Sequence, residues 1–161
     1  MTQVECIHET LKHINRVGQL LQQIMGKIGE SILTHDKSKI EEPELSIFVE
    51  YTPKLKASTY GSDEYKEMLK GMGVALDHHY DNNPHHPEYH FRKNNSGFTG
   101  MIGLHDMNLI EIIEMLCDWR AATERHANGD IRKSIEINQK RYGYSDELKS
   151  MLLTTVNYMG W

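Results

Sequence analysis

Apolar residues return every three or four positions along most of this chain, and no stretch alternates β-branched with polar residues. The first spacing is the period of a helix and the second would be that of a strand, so the chain reads as all-α. The longest run covers residues 4–33, where His13, Val17, Leu20, Leu21, Ile24 and Ile28 share one face, with a break expected near Gly26 or Gly29. On that stripe His13 is expected to point into a core. His8 shares a polar face with Asn15, Gln19 and Gln22.

Start and stop signals divide the remainder. Glu41-Glu42-Pro43-Glu44 puts proline and acids in a first turn, predicting a helix to Tyr51 that Pro53 stops. Ser62 caps a helix over 62–81, with Met68, Met72, Ala75, Leu76 and His79 facing inward. Residues 82–103 are rich in Asn, Gly, His and Pro and have no period, which predicts a long loop of the kind that carries function. Asn108 with Glu111 forms a capping box and opens a helix over 108–126. Asp130 starts another to Arg141, and Ser145-Asp146-Glu147 caps a last one ending near Tyr158. The expectation is one domain over 1–161, a bundle of about six to seven helices and one long functional loop.

The 161 residues suffice for a single core. A formal net charge of −5 leaves no basic surplus to displace the counterions of a nucleic-acid duplex. Lys37, Lys39, Arg120 and Arg125 are still enough for a local pocket that takes a small phosphate ester. No apolar run reaches the ~20 residues of a membrane span, and the N-terminus lacks the pattern of a secretion signal. Cys6 and Cys117 are far apart and read as free thiols of a reducing cytoplasm. Tyr158 and Trp161 are expected to form an exposed patch that could join copies of the chain.

Five of the ten histidines lie in three short runs, His35-Asp36, His78-His79 and His85-His86-Pro87-Glu88. Imidazole and carboxylate together suit Zn, Mn, Fe, Co or Ni. A fold gains little from repeated side chains that half-titrate near neutral pH and desolvate poorly, so metal binding is the leading reason for the clustering. Asp118, beside Ala121 and Ala122 on one face of its helix, has room next to it for a metal or substrate. Its plainer reading is a carboxylate satisfied by Arg120 or Arg125.

His13, His35-Asp36 and Asp118, in that order on helices, resemble the H…HD…D signature of the HD-domain metal-dependent phosphohydrolases. A longer pattern resembles a small HD-like family of phages and bacteria. It comprises His35-Asp36-x-Ser38-Lys39, His78-His79-x-x-x-Asn83-Pro84-His85-His86-Pro87-Glu88-Tyr89 and Met115-x-Cys117-Asp118-Trp119-x-Ala121-Ala122. The resemblance spans residues 9–126 and places the chain in a bacterial or phage-infected cytoplasm. It implies that His13, His35, Asp36 and Asp118 hold one divalent metal, that Lys39 faces a phosphate, and that His79 and His86 hold a second ion.

The residues themselves lead to the same chemistry. A divalent ion held by imidazoles and carboxylates lowers the pKa of bound water towards about 7. Lys39 would offset charge on phosphoryl oxygens, and Glu88 or Glu114 would orient water or hold a ligand imidazole through its other nitrogen. Lys39 could equally be a solvated lysine beside Glu41 and Glu42, and the choice between His85 and His86 is open. The expected substrate is a nucleotide or related small phosphate ester. Two other functions fit the same residues: a non-haem di-iron oxygenase, and a protein that binds a nucleotide or a host partner without turnover.

Overall fold

The computed structural model describes residues 1–58, 62–94, 104–125 and 128–161. Among them are eight α-helices, two short 3-10 turns and no strand, so the protein is all-α. The chain divides into two compact units, 1–35 and 36–161. No helix among the described residues is long and apolar enough to cross a membrane.

The first unit is one helix, α1 (Gln3–Thr34), unbroken at Gly26 and Gly29. Thr2 and Glu5 form its capping box, each satisfying the other's backbone N–H. Its 32 residues well exceed the ~12–15 below which isolated helices are marginal. None of them is buried.

The second unit begins with Asp36, whose backbone is left-handed (φ 54°, ψ 18°), followed by the 3-10 turn Lys37–Ile40. Then come α2 (Glu44–Ala57), α3 (Asp63–Gly71), α4 (Gly73–Asn82), α5 (Pro87–Asn94), α6 (Leu109–Glu124), α7 (Ile131–Tyr142) and α8 (Asp146–Met159). The caps expected for the last three helices are those observed. Asn108 and Glu111 box the start of α6, the Asp130 side chain accepts from the Arg132 N–H, and Ser145 accepts from Leu148.

Three expectations change. Pro53 lies inside α2 rather than ending it, so the helix gives up the one backbone hydrogen bond that proline cannot donate and continues. The helix expected over 62–81 is two, meeting at Met72. Gly71 there packs so closely on the Tyr51 ring that a Cβ would overlap its hydroxyl. The loop expected over 82–103 contains α5 over its first half, with Pro87 at the first position and Glu88 in the first turn. Residues 95–103 lie outside the described set.

Helices α6, α7 and α8 enclose the apolar core. Met115, Leu116, Ile131, Ile135, Leu152 and Val156 are buried there, each contributing roughly 1.5–3 kcal/mol by leaving water. Trp119 stacks with the rings of Tyr142 and Tyr144, both centroids 6.4 Å away, at interplanar angles of 5° and 24°. Trp161 packs against this core instead of forming an exposed patch, and its carbonyl accepts from Arg132. Tyr158 is exposed. On the other side of the unit, α2 packs on α4 and on the 3-10 turn, and α4 on α5. The groups buried in that interior are largely polar.

Candidate metal centre

Glu44 opens α2, and its side chain is completely buried. An ionised carboxylate there is costly unless every lone pair finds a donor. Two ring nitrogens of α4 meet it, His78 Nδ1 at 2.7 Å from one oxygen and His79 Nδ1 at 2.9 Å from the other. An ionised Glu44 can only accept, so His79 Nδ1 donates to it and the lone pair of His79 is on Nε2. The amide nitrogen of Asn83 donates to Ser38 Oγ and the His79 carbonyl, both at 2.8 Å, and lies 3.0 Å from His79 Nδ1.

That nitrogen faces other ligand atoms. His79 Nε2 is 2.8 Å from His86 Nε2 and 3.3 Å from Asp36 Oδ1. His85 Nε2 lies 3.5 Å from the same oxygen, while His85 Nδ1 is 3.1 Å from Glu114 Oε1 on α6. So two imidazoles have carboxylates on their outer nitrogens and turn their inner nitrogens towards Asp36. Metal-binding histidines are oriented in this way. Burial holds the His79 imidazole below its usual pKa, and Lys39 adds to the effect against the pull of Asp36 and Glu44. Burial, then His85 and His79, push His86 down to about 2. Both shifts favour the neutral imidazole, the form that binds a metal.

One ligand atom from each of Asp36, His79, His85 and His86 lies within 4.8 Å of the others. The donor-to-donor edge of a tetrahedral ion with bonds of ~2.0–2.1 Å is about 3.3 Å. The separations of 3.3 and 3.5 Å match that edge, and the His79–His86 pair at 2.8 Å needs to open by a few tenths of an ångström. The residues present fit a divalent transition metal. The left-handed backbone at Asp36 is a cost that Asp tolerates better than most residues, and such outliers gather at functional sites.

Lys39 is one 3-10 turn beyond Asp36. It donates to Asp36 Oδ2 and passes over the Phe48 ring. A carboxylate oxygen of half-buried Asp118, on α6, is within 4.8 Å of one of Asp36.

A family profile described as "Family of unknown function (DUF5662)" matches residues 2–158. The chain belongs to that family. No curated protein and no solved structure matches it.

The structure of this DUF5662 chain thus brings Asp36, His79, His86, Lys39, Glu114 and Asp118 of the expected residues to one place. His13 lies on α1, in the first unit, and is exposed there. Glu88 accepts through one oxygen from Arg141 at 2.6 Å and from the Tyr142 hydroxyl at 2.9 Å, joining α5 to α7. His35 caps the C-terminal end of α1 and directly precedes Asp36.

The choice left open between His85 and His86 resolves to both, since α5 begins only at Pro87 and leaves both histidines on the turn before it. One contributor was not foreseen. Glu44 resembled an ordinary acid at a helix start. Its only distinguishing sign was position, in the first turn of a helix that must pack on His78-His79.

Proposed function

We propose that this protein is a metal-dependent phosphohydrolase acting on a nucleotide or related small phosphate ester. The observation that carries this reading is the convergence of Asp36, His79, His85 and His86, with Glu44 and Glu114 behind two of the rings. A bound divalent cation would supply Lewis acidity, making water nucleophilic near neutral pH and drawing charge from a phosphoryl oxygen.

The chain's own groups have separate tasks. Glu44 and Glu114 hold the rings of His79 and His85 with their inner nitrogens turned towards Asp36. Asp36 supplies the carboxylate that all three imidazoles approach. Lys39, already drawn to Asp36, offers a positive charge to the substrate's phosphoryl oxygens. Asp118, beside Asp36, is the carboxylate placed to take a proton from the attacking water. The resemblance of His35-Asp36 and Asp118 to the HD signature supports hydrolysis over other metal chemistry.

The test is metal analysis of the purified protein after exposure to Mn, Co, Ni, Zn or Fe, followed by phosphate release from nucleoside mono- and triphosphates. The expected result is metal bound at the histidine cluster and phosphate released only with metal. Asp36→Asn should retain the helical fold, because Asn also accepts left-handed backbone, and should lose metal retention by at least about 100-fold. Metal-loaded protein that hydrolyses none of these substrates overturns the hydrolytic reading. Iron with a redox-active signal would assign an oxygenase instead, and tight nucleotide binding without turnover a sequestering protein.

A further inference from the structure

The apolar residues of α1 follow a stricter rule than amphipathicity. Ile7, Ile14, Leu21 and Ile28 repeat every seven residues, and Val4, Leu11, Met25 and Ile32 hold the alternating position of the same heptad, with Gly18 in its middle place. Apart from Gly18 the 3-4 spacing holds across four heptads, which is the pattern of a helix that supercoils with another helix. Ile7, Leu11, Ile14 and Leu21 are each 51–56% exposed, and Val4 and Ile32 more so.

From this face we infer that α1 pairs with α1 of a second copy of the chain, in antiparallel orientation. Area supports the pairing. A helix of 32 residues is about 48 Å long, and its stripe offers apolar surface on the order of 800 Å², the share each partner of a standard interface buries. Charge supports a partner identical to itself. The positions flanking the heptad seam are His8, Asn15, Gln22 and Gly29 on one side and Thr10, Val17, Ile24 and Ser31 on the other, with no Asp, Glu, Lys or Arg to repel its own copy and His8 the one titratable side chain. The charged residues lie on the outer face, where Glu9 pairs with Lys12 at 2.8 Å and Lys27 with Glu30 at 2.7 Å.

Gly18 sets the direction. Among the described residues nothing lies within 4 Å of where its Cβ would stand. A parallel pair would set Gly18 against Gly18 and leave a hole at mid-interface. An antiparallel pair sets it against Ile14 or Leu21 of the second copy, a large side chain filling a small one's space.

Sedimentation equilibrium of the full chain at tens of micromolar tests the pairing. The expected mass is twice the 18.7 kDa of one chain. It should fall to that of a single chain in Leu11→Glu/Leu21→Glu, with helical circular dichroism and metal stoichiometry unchanged. A single-chain mass for the wild type overturns the inference, as does a dimer that survives the double substitution. For direction, Ile7→Cys is placed in a Cys6→Ser/Cys117→Ser background. Antiparallel pairing keeps the two new thiols apart, and a spontaneous disulfide between copies overturns that orientation.

Discussion

The second unit has two interiors built on opposite terms. Between α6, α7 and α8 the buried groups are Met115, Leu116, Ile135, Leu152 and Val156 around a stacked Trp119, and stability comes from area removed from water. Around the 3-10 turn, α2 and α4, the buried groups include Glu44, His79, Asn83 and His85, and each needs a particular partner at a particular distance. An apolar interior tolerates approximate shapes. A polar one leaves an uncompensated group whenever one member is removed. A chain able to build the first kind builds the second where chemistry requires it.

Substitutions can break or sharpen this contrast. The largest loss of stability is expected in the apolar interior. Ile135→Ala should cost about 3 kcal/mol and lower the melting temperature by roughly 10 °C, with the folded fraction binding metal as before. Thermal denaturation with metal titration checks it, and lost metal at an unchanged melting temperature would erase the distinction between the interiors.

Glu44→Gln should invert the pattern. It preserves shape but no longer fixes the His79 tautomer, so metal affinity should drop roughly 10–100-fold while stability changes by about 1 kcal/mol. Competition against a chelator measures the first and denaturant unfolding the second. The smallest effect belongs to Glu88→Gln, which weakens the links to Arg141 and Tyr142. It should cost about 1 kcal/mol and leave metal affinity within about twofold of wild type. A Glu88→Gln protein that cannot retain metal would return this carboxylate to the site.

What the sequence disclosed follows the same division. Local signals were readable: the Asn108–Glu111 box, Asp130 and Ser145 each opened a helix where expected, because a cap is decided within four residues. Pro53 misled, since a proline's cost is local but a helix packed on α4 can bear it. Periodicity gave His79 its inward direction. Periodicity also gave His13 a stripe, and a stripe alone does not say what covers it. Glu44 was hidden because its role depends on residues 34 and 35 positions later, a separation that no local pattern records.

Both tryptophans of the chain, Trp119 and Trp161, belong to the apolar interior, and neither is in α1 or among the candidate metal ligands. Intrinsic fluorescence is consequently a private channel for the α6–α8 packing. Cobalt substituted at the histidines would supply a second, visible-light channel for the polar interior. Melting curves recorded in the two colours would show whether the interiors yield together or one after the other.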